Sequence, residues 1–393
     1  MSALSPASRR LILILAVSAF AGTFSGRAVE PLTGVLASDF GAPVDTVALL
    51  SAAFAIPYAV GQPFLGPVGD ALGKERVMKA CLGILCLSLI ASVFVTSLEA
   101  LFALRMLAGV VAGGVTPLNL AIIGDRVEMS GRQIALSRYV VWLILGQMAG
   151  SSISGLIAAY VGWRGVLAVS AALMVAAFVA VLIGFRNPEK GTAFNLSVAL
   201  ERYGEIVRNP RALALFAFVF LEAVAVFGLF PYIAPILEEL HAGGVTEAGL
   251  VLGAFAAGGV LYSFALRWIL SRHGLRRMLI AGGLLSFAAL FTFGLATVWQ
   301  IQAAAMMVLG LGFYMLHNSF QTQVTEVAPS ARASAVALHA CSFFLGQAVG
   351  VMAVGIGLRT LGLLGTSLVA GGILLAVGMA AAAILPMSQP RAR

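Results

Sequence analysis

Two oppositely charged side chains lie within the first apolar stretch of this chain. Arg27 and Glu30 are three residues apart and share one face of a helix, and Pro31 follows at once. Because Pro31 has no N–H, it opens the local backbone and can present carbonyl groups to a cavity. Glu30 is a candidate proton-binding carboxylate, since burial favours its protonated form and Arg27 favours its ionised form. The alternative is a permanent ion pair that braces the helix.

Glu222 is a more isolated acid in a later apolar stretch. It follows Arg211 by eleven residues, about 17 Å along a helix and close to the middle of a hydrocarbon core about 30 Å thick. The sequence places no basic residue within one helical turn of it. We therefore expect an unpaired carboxyl that is protonated when dry and ionises when water or a cationic solute arrives. This pattern predicts a proton- or cation-sensing role in a cavity.

A polar stripe is predicted near the start of the last quarter of the chain. Tyr314, His317, Asn318 and Gln321 are three or four residues apart and so fall on one helical face. Because unsatisfied polar groups are costly in hydrocarbon, we expect this stripe to line the solute cavity. The alternative for His317 is a hydrogen-bonded packing residue. No cluster of His, Cys and carboxylate residues has the spacing of metal ligands, so we predict no metal site.

The composition shows which elements must position these residues. The chain has 393 residues, of which 61% are hydrophobic and 10% charged, against about 25% charged in an ordinary soluble domain. A water-soluble protein is thereby excluded, and about 240 apolar residues suffice for roughly twelve helices of about 20 residues. We predict an all-α polytopic membrane protein with twelve transmembrane helices. The predicted spans are near 11–37, 46–68, 77–96, 100–123, 134–160, 165–185, 212–237, 247–270, 278–297, 300–324, 333–357 and 362–385.

The basic residues predict the orientation of these spans. Twenty of the 24 Lys and Arg residues fall on the side that also carries both termini. By the positive-inside rule both termini are cytoplasmic, and we expect a bacterial inner membrane. The net charge of +8 is thus an orientation signal, and a nucleic-acid partner is not expected because the basic residues do not cluster on one exposed face.

An internal repeat with an offset of about 200 residues divides the chain. Gly146 and Gly150 recur as Gly346 and Gly350, within a similar stretch of sequence. The longest polar stretch lies near the midpoint. We therefore predict two pseudo-symmetric six-helix bundles, 1–186 and 212–393, joined by a cytoplasmic linker, 187–211. Two such parallel halves around a central site are typical of a rocking transporter.

The polar loop after the second span carries a recognisable motif. It reads GPVGDALGKER from residue 66 to residue 76. This resembles the signature of the major facilitator superfamily, in which Asp70, Gly73, Lys74 and Arg76 would form a charged latch that is made in one conformational state and broken in another. Glu75 stands where the family usually has a basic residue. The alternative is a simple helix stop with positive-inside charges.

The fourth span is similar to another motif of the same family. Arg105, Gly109 and Gly113 are spaced as R-x-x-x-G-x-x-x-G, and the two glycines permit close helix packing. The resemblance implies that Arg105 couples to proton movement. The alternative is that its side chain extends to the membrane interface.

The fifth span departs from the family pattern. Antiporters of the superfamily usually have a Gly-Pro pair here, whereas this chain has Gly150 followed by Ser151. The small packing face with Gly146 is kept and the kink-forming proline is absent. This departure weakens the expectation of antiport.

Together these features predict a secondary active transporter of a small organic solute, most similar to bacterial drug and sugar efflux permeases with proton antiport. The alternative is a proton-linked importer or facilitator of a small organic anion or another metabolite. The sequence contains no P-loop, G-x-S-x-G or H-E-x-x-H motif, so we expect neither an ATP-driven pump nor an enzyme. We expect no cofactor, a proton gradient as energy source, and a monomer whose partners are its solute, protons and membrane lipid.

Overall fold

The computed structural model describes residues 5–185, 196–328 and 331–385, and its regular elements there are all helical. Short 3₁₀ turns, Glu30–Leu32 and Phe230–Tyr232, follow α1 and α8. The α-helices are α1 Pro6–Arg27, α2 Thr33–Phe40, α3 Val44–Leu72, α4 Lys74–Val93, α5 Leu98–Arg126, α6 Met129–Gly184, α7 Leu196–Val207, α8 Pro210–Phe227, α9 Ile233–Glu239, α10 Val245–Leu295, α11 Trp299–Val327 and α12 Arg332–Ile384.

Ten helical segments in this part of the chain are long and apolar enough to cross a membrane. Two of them are 54 and 51 residues long, and a straight helix of that length would be about 80 Å, far more than a hydrocarbon core of about 30 Å. These two contain a glycine with positive φ, Gly162 (70°) and Gly362 (67°), where the helical path is broken. The predicted total of twelve spans stays a prediction.

The backbone repeats the offset seen in the sequence. Six of the seven described residues with positive φ form pairs, Gly41 with His241, Gly73 with Gly274, and Gly162 with Gly362, and the seventh is Gly243. Each pair is separated by 200 or 201 residues. His241 is the one residue among the described positions that adopts positive φ without being glycine. The internal repeat therefore extends to the turns of the backbone as well as to the side chains.

The first compact unit comprises Met1–Arg202 with two short later segments, Pro231–Ile236 and Gly244–Gly249. Within it α1 packs along α6, and α3 packs along α5. Glycines allow the two helices of each pair to pack closely. A Cβ on Gly150 would lie 2.5 Å from the carbonyl oxygen of Phe24, and a Cβ on Gly113 would lie 2.5 Å from that of Tyr58.

Gly109 and Gly146 belong to the same two helix contacts. A Cβ on Gly109 would collide with the carbonyl oxygen of Phe54, and one on Gly146 would lie 2.5 Å from the carbonyl oxygen of Phe20. All four glycines of the two sequence motifs thus face a neighbouring backbone, as small residues at helix interfaces in membranes do.

The second compact unit comprises Tyr203–Phe230, Leu237–Gly243 and Leu250–Arg393. Here α8 packs along α12 and α11. The predicted linker 187–211 includes residues 187–195, which lie outside the described residues, so the predicted domain boundaries stay a prediction. The helix found in that region is α7, Leu196–Val207.

Candidate functional site

The break in the first helix places an ion pair in the interior of the first unit. α1 ends at Arg27, and the 3₁₀ turn that contains Pro31 redirects the chain into α2. The guanidinium Nη1 of Arg27 lies 2.6 Å from Oε1 of Glu30, and both side chains are buried. The i, i+3 pairing that the sequence allowed is thus present.

Ser151 completes the surroundings of this carboxylate. Its hydroxyl donates a hydrogen bond of 2.8 Å to Oε2 of Glu30 across 121 residues of sequence. It can reach because its neighbour Gly150 has no side chain to hold α6 away from α1. Sequence reasoning noticed Ser151 as a missing proline and did not place it in the site. The available signal in the sequence was a hydroxyl in place of the family's proline, directly after the packing glycine Gly150.

Arg105 binds the end of α1 from α5. Its Nη1 donates to the carbonyl oxygen of Ser25 (3.0 Å) and its Nη2 to that of Gly26 (3.1 Å). Carbonyls in the last turn of a helix lack intrahelical partners, and a cation there interacts favourably with the helix dipole. The side chain is buried, and its guanidinium lies 4.5 Å from the centre of the Phe54 ring. This geometry contradicts the alternative in which Arg105 extends to the membrane interface.

The second unit contains a separate buried acid. Glu222 on α8 is fully buried, and its Oε2 lies 3.1 Å from Nδ1 of His317 on α11. The expectation of an unpaired carboxyl was therefore wrong, because tertiary packing supplies a partner 95 residues away. The other oxygen, Oε1, has no hydrogen-bond partner among the described residues.

Aromatic rings and a second histidine surround His317. The Phe313 ring stacks on it at a centroid distance of 4.9 Å, and the Phe343 ring lies at 5.1 Å. The ring of His339 lies at 5.9 Å, and its buried Nε2 has no hydrogen-bond partner in the described part of the chain. The group is thus a carboxyl and two imidazoles in largely apolar packing.

The rest of the predicted polar stripe points elsewhere. Asn318 hydrogen-bonds to the hydroxyl of Tyr262, and Gln321 is exposed. The structure brings His317 to Glu222 and does not bring Asn318 or Gln321 to it. A stripe with spacings of three and four spans enough of the helix circumference for its edges to meet different neighbours.

The two helix breaks carry different side chains at equivalent positions. Arg27 and Glu30 correspond, at an offset of 200, to Phe227 and Phe230. The rings of Phe227 and Phe230 pack at a centroid distance of 4.8 Å. One half of the repeat therefore has an ion pair where the other half has an aromatic pair.

The motif at the junction of α3 and α4 forms a charged cluster. Gly73 adopts a φ of 95°, which permits the tight turn, and Nζ of Lys74 lies 3.2 Å from Oδ1 of Asp70 and 2.6 Å from Oδ2 of Asp125. Arg76 is exposed and makes no ion pair among the described residues.

The sequence did not identify the partners from the end of α5. Asp125 binds Lys74, and the adjacent Arg126 pairs with the buried carboxylate of Glu75. Glu75, which departs from the family pattern, is therefore part of the cluster. Ion pairs therefore connect α3, α4 and α5 at this point.

No group of three or more His, Cys, Asp or Glu residues in the described ranges could hold a metal ion. The charged groups are arranged instead in two interior sites and one charged cluster at helix ends.

A sequence model of the Major Facilitator Superfamily matches residues 15–351 and, in a second match, residues 215–393. The chain belongs to this superfamily. Its members are membrane transporters, so this chain is an integral membrane protein with a transport role, and it is not an enzyme.

Relatives in the superfamily align over between 37% and 100% of the chain. The uncharacterized MFS-type transporter YfhI of Bacillus subtilis is 22% identical over 394 residues, which cover 100% of this chain and 98% of the relative. The uncharacterized MFS-type transporter YwfA of the same species is 25% identical over 284 residues, 70% of this chain and 68% of the relative. The inner membrane transport protein YnfM of Escherichia coli is 29% identical over 153 residues, 37% of this chain and 36% of the relative.

Solved structures of the superfamily share the fold. A point mutant of the nucleoside transporter NupG aligns with a TM-score of 0.77 at 16% identity, covering 96% of this chain and 100% of that chain. A bacterial homologue of the human lysosomal transporter Spinster aligns with a TM-score of 0.73 at 17% identity, covering 96% of this chain and 93% of that chain.

Proposed function

We propose that this member of the superfamily exports a small organic solute in exchange for protons across the bacterial inner membrane. Both termini are cytoplasmic in this proposal, and the proton gradient supplies the energy without a cofactor. The protein acts as a monomer, with its solute, protons and surrounding lipid as partners. The name of the relative YnfM, an inner membrane transport protein, supports this location.

The observation that carries the proposal is the Glu222–His317 pair. A fully buried carboxylate without a Lys or Arg partner costs several kcal/mol, so an interior acid of this kind is a functional group by default. Its Oε1 has no hydrogen-bond partner among the described residues, which leaves one oxygen available to a ligand. A proton on the carboxyl removes the charge when the site is dry, and a solute cation or dipole can replace that proton.

Replacement of this kind couples two fluxes. If a proton and the solute compete for the same carboxylate, the protein carries only one of them at a time. Each then binds only after the other has been released. Alternating access then moves the solute outward while protons move inward. A ligand shifts the balance between the two states only by its difference in affinity for them.

Proton coupling is tested first by measuring ligand binding and then by measuring ligand flux. The purified protein is screened by thermal unfolding against drugs and metabolites at two pH values, since a ligand of the folded state raises the midpoint. We expect a ligand whose stabilising effect is larger at the higher pH, where fewer protons compete for the site. The same ligand should then be driven across proteoliposomes by an imposed pH gradient. Ligand binding with no pH dependence and flux with no response to the gradient would refute proton coupling.

A second candidate is proton-linked uptake, or facilitated diffusion, of a small organic anion. The observation that favours it is Ser151, which occupies the position where antiporters of the family usually have proline. In this case the solute carboxylate would compete with Glu30 for Arg27. Transport into right-side-out vesicles, and its absence in inverted vesicles, would favour uptake over export.

A further inference from the structure

Glu30 and Glu222 are buried acids that lie away from the charged cluster at the end of α3, and they have opposite surroundings. Glu30 is 4% exposed and Glu222 is 0% exposed, so burial alone does not distinguish them. The difference lies in the groups that face each carboxyl. Hydrogen bonds and charges from several helices favour the ionised form of one and the neutral form of the other.

Each oxygen of Glu30 receives a donor. Arg27 donates to Oε1 at 2.6 Å and Ser151 donates to Oε2 at 2.8 Å. Arg105 on α5 binds the carbonyls of Ser25 and Gly26, a few residues before Glu30. Donors that bind both oxygens stabilise a carboxylate, and a nearby guanidinium stabilises it further.

Glu222 has none of this support. Its single polar partner in the described residues is His317, and no Lys or Arg there forms an ion pair with it. His317 itself packs against the rings of Phe313 and Phe343. The next titratable side chain, His339, carries no negative charge that would stabilise a protonated His317. A charged carboxylate at Glu222 would have one oxygen without a donor, whereas a protonated carboxyl can bind the imidazole as a neutral pair.

We propose that Ser151, together with Arg27, keeps Glu30 as an ionised carboxylate, and that Glu222 is the carboxyl whose proton is exchanged. Ser151 is a positioning residue here, because it acts through Glu30. The charge states follow from contacts within each unit, whereas their role in transport rests on the proposed function. The residue in the fifth span that departs from the antiporter pattern thus fixes a charge in the first helix.

The internal repeat agrees with the assignment of different roles to Glu30 and Glu222. At the positions equivalent to Arg27 and Glu30, the second half has Phe227 and Phe230, which close the same kind of helix break by ring packing. A break of this kind therefore forms without a charged pair. The pair in the first half adds a carboxylate, paired with Arg27 and bound to α6 by Ser151, that the fold does not need to form the break.

Infrared spectroscopy of the full-length protein in proteoliposomes tests both charge states. A protonated buried carboxyl has a C=O stretching band that disappears when it ionises. We expect one such band in the wild type, its loss in Glu222→Gln, and no change in Ser152→Ala. Ser152 is the matched control because its hydroxyl bonds to the carbonyl of Met148 within its own helix.

The Ser151→Ala variant is the decisive sample for the positioning role. Removal of a hydrogen bond to a charged group should raise the protonated fraction of Glu30 relative to the ionised fraction by about tenfold at a given pH. A second C=O band should therefore appear on acidification in Ser151→Ala and not in Ser152→Ala. A merely structural role for Ser151 would leave the number of bands unchanged.

The outcomes separate this inference from the proposed function. A band that persists in Glu222→Gln and is lost in Glu30→Gln would overturn the inference, as would Ser151→Ala spectra identical to the wild type. Band assignments as expected, in a protein that shows no proton-driven flux, would leave the inference standing and refute the proposed function. Because Ser151→Ala removes a single hydroxyl, the test does not depend on correct folding of Glu30→Gln.

Discussion

The contact between α3 and α5 predicts a large difference between two glycine substitutions on one helix. In Gly113→Ala the new Cβ would lie 2.5 Å from the carbonyl oxygen of Tyr58 and 3.3 Å from the backbone nitrogen of Gln62. Normal separations are about 3.5 Å, so the two backbones must move apart by roughly 1 Å. Overpacking of this kind costs about 1–3 kcal/mol, while alanine gains about 1 kcal/mol over glycine in helix propensity. We expect a net loss of up to about 2 kcal/mol.

The matched control is Gly124→Ala, on the same helix. A Cβ there would have no heavy atom within 4 Å, so the variant should gain about 0.5–1 kcal/mol from helix propensity alone. Thermal unfolding of both variants in one detergent measures the difference, at about 2–4 °C per kcal/mol for a folding unit of this size. Gly113→Ala should unfold below the wild type and Gly124→Ala at or above it. Equal midpoints for the two variants would refute the close approach of α3 and α5.

Three further predictions concern the charged groups. Glu222→Gln should abolish proton-driven flux and remove the pH dependence of the ligand's thermal shift; retained flux would exclude Glu222 as the coupling group. Arg105→Lys keeps the charge but cannot bind the carbonyls of Ser25 and Gly26 in the same forked geometry, so it should lower stability by about 1–3 kcal/mol, measured by thermal unfolding. Asp125→Asn removes one exposed partner of Lys74 and should change stability by less than about 1 kcal/mol while altering the flux rate; an unchanged rate would contradict a latch.

The charged cluster at the end of α3 shows how far a linear motif can be interpreted. Asp70, Gly73 and Lys74 are close in sequence, so the motif itself predicted the turn and one ion pair. Asp125 lies 51 residues from Lys74, and no local pattern distinguishes it from any other acid at a helix end. Arg76 matches the motif but is exposed, because the direction of a side chain at a turn depends on the helix that follows.

Glu222 shows the same limit in the membrane interior. The absence of a base within one helical turn was read from the sequence correctly, but it did not establish that the acid was alone. A fully buried acid can obtain a partner from any neighbouring helix, and here α11 supplies His317. Within the polar stripe, the sequence could not identify His317 as the residue that reaches Glu222, because the rotation of α11 is set by packing.

The sequence by itself determined the class of protein, its helical membrane segments, the superfamily motifs and the positions of the buried charges. It did so because hydrophobicity, glycine and proline act locally, within a turn or a span. Only the tertiary structure decided what those charges bind. Ser151 reaches Glu30 across 121 residues, His317 reaches Glu222 across 95, and Arg105 reaches the carbonyl of Ser25 across 80. Such contacts depend on which helices pack together and on how each is rotated, and neither is encoded by local spacing.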